Sequence, residues 1–344
     1  MVSVLAFFLW SMFVSIINGV AFDNVNILKS FLYNFRHIEY FFIFFIGCRL
    51  PFVSLISILK VFVVYEFVLV VIQKFGFFSF ATRYNVIERQ VGSTSGPWEL
   101  AVMISLPLFL FLYLKEYKYF ILAFFILIST GSRITLAAAL IVMLILYINN
   151  LKSKDRVNTN ALLFIFLLSF IPLIFYFDFS FFIQKFTSVL SIKAQSGYYL
   201  NSPVSSVEFS MMDELYIKDS IAGAQGDASA FSRFSRWILA LNVLISHGPI
   251  FYFLGLGSSF FGDALDGAYL RLLVTNGLVG LFLFLNIYYK LYKRLALYKF
   301  MSSFLIVYLI SGLFIDVFYS LKINIIFWLT VGALCNYEKN SDCN

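Results

Sequence analysis

The sequence predicts an all-α, polytopic membrane protein with about ten transmembrane helices and one large external loop, and three observations carry this. Of its 344 residues 61% are hydrophobic and only 12% charged, more apolar surface than a water-soluble fold could hide. Apolar runs of about 20 residues, the length a helix needs to cross a bilayer, recur along the whole chain. Basic residues gather in short gaps between those runs: Arg49; Lys115 and Lys118; Lys152, Lys154 and Arg156; Lys290, Lys293, Arg294 and Lys299. The runs do not alternate and are too long for barrel strands. The net charge of +7 sits mostly in those gaps, where it sets orientation and does not point to nucleic acid.

The spans follow in order. Residues 2–18 read as an uncleaved first span, because the N-terminus lacks a basic flank and a small-residue cleavage site. Residues 27–47 form the second, closed by Arg49 and Pro51, and 52–75 the third. The third carries Lys60 and Glu66, six apart and so on different helical faces, each expected to be buried against other spans. A polar external loop at 76–97 precedes span four, 98–114. Spans five and six, 119–129 and 134–148, are both short, which places Arg133 of the TGSR turn at a shallow re-entrant turn or near the outer interface. Span seven is 161–177. The one long hydrophilic segment is 178–273, with a surface-lying amphipathic stretch at 181–193 and a Ser-, Gly- and Asp-rich stretch at 197–227. Spans eight to ten are 276–292, 301–318 and 321–334. The organisation is thus seven spans in 1–177, a loop domain in 178–273, and three spans with a cytoplasmic end in 274–344. Every basic gap follows an even-numbered span, so both termini face the cytoplasm and the long loop lies outside.

The candidate chemistry lies on that outer side. Arg233 and Arg236 are three apart and share a helical face, with Trp237 four from Arg233, close enough to stack on its guanidinium. Arginine's planar fork suits a phosphate, and the alternative is simple interfacial anchoring. Arg133 costs a few kcal/mol near a membrane. Capping carbonyls at a helix break or binding a ligand phosphate would each offset that cost. Arg83 and Arg89 belong to the first external loop, either as solvated charges or as ligand contacts. Asp263 and Asp266 are again three apart, and a carboxylate there can take a hydroxyl proton or cap the helix that follows. His37 and His247 are the only histidines, and Cys48, Cys335 and Cys343 the only cysteines, so no disulfide framework or metal cluster is expected.

Four segments in this order resemble the Wzy-type O-antigen polysaccharide polymerases and the related O-antigen ligases of bacterial envelopes. They are RQVGSTSGPWELA, with Arg89, Gly92 and Pro97; STGSRITLAAAL; RFSRW followed by HGPIFYFLGLG; and DGAYLRLLVTNGLVGLFLF. The resemblance spans roughly residues 80 to 290. It implies a multi-pass glycosyltransferase of the bacterial inner membrane, related in architecture to GT-C-type lipid-linked glycan transferases. Such an enzyme takes an undecaprenyl-pyrophosphate-linked glycan as donor at the periplasmic face and needs no cofactor or metal. It further implies that Arg233 and Arg236 meet the pyrophosphate, that Asp266 acts beside them, and that Arg133, Arg89, Arg83, Asp263 and Tyr269 bind substrate. A chain-length regulator is the implied protein partner. Where the ligase branch reads His-Asn-x-Tyr-Leu, this chain has Asp266 and Gly267, which favours the polymerase over a ligase acting on lipid A-core. A flippase for the same lipid would need polar residues along a midplane route, and Lys60 and Glu66 are the obvious ones here.

Overall fold

The computed structural model describes residues 2–77, 89–152, 228–261 and 265–341. Expected span seven and both stretches at 181–193 and 197–227 lie outside the described residues, as do Arg83 and Asp263. All regular structure among the described residues is helical. The helices are α1 (Val2–Val20), α2 (Ile27–Gly47), α3 (Phe52–Lys74), α4 (Pro97–Tyr113), α5 (Tyr117–Ser129), α6 (Arg133–Lys152), α7 (Ala228–Ser246), α8 (Pro249–Leu254), α9 (Ala268–Leu295), α10 (Lys299–Ser311) and α11 (Leu321–Ser341). Three of them, α1, α3 and α9, are long and apolar enough to cross a membrane.

The chain divides into two compact units. One gathers α1, α2 up to His37, and the described chain from α7 to Leu291. The other takes α2 from Ile38, helices α3 to α6, and the chain from Tyr292 onward.

In the first unit α1 is amphipathic with the polar side inward. Leu5, Leu9, Phe13 and Ile16 are exposed along one stripe, whereas Ser11, Ser15 and Asn18 are buried on the other. That inversion suits a helix whose solvent is lipid. The buried side makes a hydroxyl–amide cluster. The hydroxyls of Ser11 and Ser258 donate to Asn34 Oδ1 at 2.6 and 2.7 Å, and Asn34 Nδ2 donates to Ser15 Oγ at 3.1 Å. Asn18 Nδ2 donates to the Gly255 carbonyl at 3.0 Å. The loop after α8 is thereby pinned to α1 and α2.

Helix α9 begins eight residues before the expected start of span eight and is broken at Gly277, where φ is 66° and ψ −175°. Its first segment was hidden in sequence because Arg271, Thr275 and Asn276 dilute the apolar run. The break frees carbonyls that would be costly in an apolar setting, and each finds a donor. Leu256 N donates to Val274 O at 2.8 Å, Gly257 N to Thr275 O at 2.9 Å, and Trp10 Nε1 to Asn276 O at 2.9 Å.

In the second unit α4 is the centre. Every residue from Leu100 to Leu112 is buried, with α3, α5, α6, α10 and α11 packed around it. A helix apolar all round needs such a jacket. Lys60 of α3 is paired with Glu116 at 2.6 Å, over the ring of Tyr119. Helix α6 reaches Lys152 and not residue 148, gaining its length from the polar Asn-Asn-Leu-Lys end. Helix α10 stops at Ser311, short of the expected residue 318. The chain then turns through a 3₁₀ segment, Val317–Tyr319, and Asn324 of α11 caps it: its Nδ2 donates to Val317 O at 3.2 Å, Phe318 O at 3.1 Å and, just beyond, Ser320 O at 2.7 Å.

Candidate functional site

The first unit brings Arg233 and Asp266 together. Arg233 rides the N-terminal half of α7, and Asp266 lies in the turn that enters α9. Arg233 Nε stands 3.5 Å from Asp266 Oδ2, both side chains about one-third exposed at 29% and 33%. The contact is an ion pair without hydrogen-bond geometry. The Nε atom itself is buried and has no hydrogen-bond acceptor among the described residues. A guanidinium N–H in that state can take an anionic oxygen at little further desolvation cost. Arg236, half-buried one turn along, shares the face of Arg233 by its spacing.

Asp266 is held in an uncommon backbone state, with φ of 54°. The left-handed region costs an L residue energy, least for Asp, Asn and Gly. Three contacts hold the turn there. Trp237 Nε1 donates to the Leu265 carbonyl at 3.0 Å. The indole of Trp237 lies against Gly267, where a Cβ would come within 3.0–3.1 Å of the ring. The Gly267 carbonyl accepts the Arg271 N–H at 2.9 Å, closing the first turn of α9. The spacing predicts Trp237 beside the guanidinium; its contacts include the Leu265 carbonyl, Gly267 and the apolar cluster that holds Leu239 and Phe260. Tyr269, half-buried, is the second residue of α9 and so lies just past the same turn.

His247 follows the last turn of α7. Its Nδ1 donates to the Val243 carbonyl at 2.8 Å, and its ring meets the edges of Phe251 and Phe260. Burial pushes its pKa below the usual value, against the smaller opposing effect of that carbonyl. Fourteen residues of helix, about 21 Å, separate it from Arg233, so it does not share the Arg233–Asp266 site.

The second unit brings together Arg89 and the TGSR turn. Arg89 Nε donates to Thr130 O at 3.4 Å, and the methylenes of Arg89 lie along Gly131. Gln90 N donates to Ser129 O at 3.2 Å. Arg133 is the first residue of α6, two positions on, and exposed. The turn itself is closed by hydroxyls: Ser132 N donates to Thr130 Oγ1, and Ser132 Oγ to Thr135 Oγ1, both at 3.1 Å.

Sequence reasoning missed the group that holds the loop after Arg89. Glu66 and Gln73 are fully buried and bind the backbone of residues 91–93, and Glu99 binds Ser95. The signal was present: Glu66 and Gln73 are seven apart, two helical turns on one face, whereas the six-residue spacing of Lys60 and Glu66 led away from it. Among the described residues no three His, Cys, Asp or Glu side chains gather where a metal could sit. Comparison of the chain with family models, with curated proteins and with solved structures finds no match.

Proposed function

We propose that the chain is a multi-pass glycosyltransferase of the bacterial inner membrane, an O-antigen or similar polysaccharide polymerase. It would move the growing glycan from undecaprenyl pyrophosphate onto a lipid-linked repeat unit at the periplasmic face. The bond from the anomeric carbon to the phosphate oxygen breaks, and the bond to the acceptor hydroxyl oxygen forms. The hydroxyl proton passes to the Asp266 carboxylate, and the departing pyrophosphate carries away the electron pair. The observation that carries this reading is the buried Arg233 Nε, without a hydrogen-bond acceptor among the described residues and 3.5 Å from a carboxylate held at positive φ. A cation for the leaving charge and a carboxylate base for the hydroxyl proton are thereby adjacent, beside a helix long and apolar enough to span a membrane. Placed donors of this kind are usually the largest catalytic contribution. Arg89 and Arg133 are read as further contacts to the carrier, and a chain-length regulator as the protein partner.

A flippase fits less well. Lys60, which a midplane route would need, is paired with Glu116, and Glu66 is bound to Ser93.

The test is the glycan ladder of a deletion strain complemented with variants. Arg233→Ala should lower polymer formation by about 10²–10³-fold and leave single repeats on lipid A. Arg233→Lys, keeping the charge but not the fork, should fall between. Unchanged long ladders with Arg233→Ala would count against the assignment, and accumulation of long carrier-linked polymer in the deletion strain would make the protein a ligase.

A further inference from the structure

Residues 91–96 run past the buried face of α3 and are held there by side chains. Gln73 Oε1 accepts from Val91 N at 3.1 Å and Gly92 N at 2.9 Å, while its Nε2 donates to Gly92 O at 2.9 Å. Glu66 accepts from Ser93 N at 3.0 Å and from the Ser93 hydroxyl. Glu99 Oε2 accepts from Ser95 N at 3.0 Å and Ser95 Oγ at 2.8 Å, and Lys322 Nζ donates to Ser93 O at 2.8 Å. Gly92 sits at φ of 55°, and a Cβ there would run into the Glu66 carboxylate. Consecutive backbone groups of an irregular loop are thus paired with α3 as a neighbouring strand would pair them.

A buried carboxylate and a buried amide in a span-length helix are costly to keep. Surface serines or asparagines could tie down a loop more cheaply if its position were of no consequence. What the clamp fixes is the residue just before it. Val91 N is held by Gln73 and Gln90 N by Ser129 O, so Arg89 has its backbone set from the C-terminal side and its side chain laid over Gly131. We propose that Glu66 and Gln73 are positioning residues for Arg89, setting its guanidinium at the TGSR turn beside Arg133. The inference rests on the reading that Arg89 binds the carrier phosphate.

Because the clamp works through hydrogen bonds, the two positions respond oppositely to the same isosteric exchange. At 66 an amide can accept Ser93 N on its oxygen and donate to the Ser93 hydroxyl, which turns to receive it. At 73 a carboxylate loses the donor and sets an oxygen against Gly92 O. Glu66→Gln should therefore keep the loop, while Gln73→Glu and Glu66→Ala release it. Hydrogen exchange of the full-length chain in lipid nanodiscs, read on the peptide covering 89–97, tests this without any assay of function. Exchange at 91–95 should stay slow in the wild type and Glu66→Gln and rise about tenfold or more in Gln73→Glu and Glu66→Ala. Donor titration with undecaprenyl-pyrophosphate-linked repeat units then reads Arg89. The released variants should show KM raised about tenfold, with kcat per folded molecule within about twofold of the wild type.

Glu66→Gln exchanging as fast as Glu66→Ala overturns the hydrogen-bond clamp. Fast exchange with an unchanged KM, or a fall in kcat alone, overturns the positioning role. Should Gln73→Glu not fold, Gly92→Ala takes its place, since its Cβ displaces the Glu66 carboxylate that holds Ser93. A wild type whose loop behaves as stated but that transfers no glycan refutes the transferase reading and leaves the clamp standing.

Discussion

Asp266 offers the sharpest separation of stability from activity. Its φ of 54° costs an alanine roughly 1–2 kcal/mol and a glycine nothing. Glycine gives back about 0.5–1 kcal/mol through the greater freedom of its unfolded chain. Both substitutions remove the ion pair to Arg233, which at one-third exposure is worth at most about 1 kcal/mol and cancels in the comparison. Asp266→Gly should therefore be more stable than Asp266→Ala by about 0.5–1 kcal/mol, with Asp266→Asn close to glycine. For a chain of this size that is a difference of roughly 1–3 °C in the midpoint of thermal unfolding. Intrinsic tryptophan fluorescence of the purified variants in one detergent would read it, and the glycan ladder of the same variants would read activity. All three should lose polymer, since none retains a carboxylate. An alanine variant at least as stable as the glycine one refutes the left-handed turn, and a ladder surviving in all three refutes the base.

Gly277→Ala should cost at least about 3 kcal/mol and most of the folded yield, because its backbone state is open only to glycine and a Cβ would strike the Phe253 carbonyl; wild-type yield on size-exclusion chromatography would contradict the helix break. His247 stays neutral in the fold where an unfolded chain would take up a proton, so its contribution to stability is lost as pH falls below about 6.5. Between about pH 7 and pH 5 the wild type should lose more in its unfolding midpoint than His247→Gln; equal losses would mean that the imidazole is not buried as described.

Much of the helical framework was legible because lipid imposes a single rule on long apolar runs. A helix lies at the expected 27–47 as α2, and the expected third span ends within one residue of Lys74, the end of α3. The rule fails where polar groups are satisfied inside the protein. Asn324 lets the chain turn at 312–320 within a stretch that is mostly apolar, so α10 ends before its apolar run does. Gly277 ends one helical segment and starts another just after Arg271, Thr275 and Asn276 interrupt the apolar run, and the donors that close the gap come from elsewhere in the chain, Trp10 and Leu256. The site divides likewise. Arg233, Arg236 and Asp266 stood out as charges at helical spacing. The spacing of Trp237 points to Arg233 one turn before it; its bond to the Leu265 carbonyl, 28 residues on, is not legible in the sequence.

Three buried polar atoms of the first unit differ in what their lack of a hydrogen bond costs. Among the described residues Asn276 Oδ1 and His247 Nε2 have no hydrogen-bond partner, yet both are acceptors, and an under-used acceptor is the cheaper defect. Arg233 Nε is a donor on a charged group, and leaving it unmet costs more. The turn opposite is not slack enough to close the gap, since Trp237 holds Leu265 and Gly267 on either side of Asp266. On the reading proposed above, a carboxylate held at that distance, in a backbone state that itself costs energy, leaves the guanidinium for an oxygen of the carrier pyrophosphate.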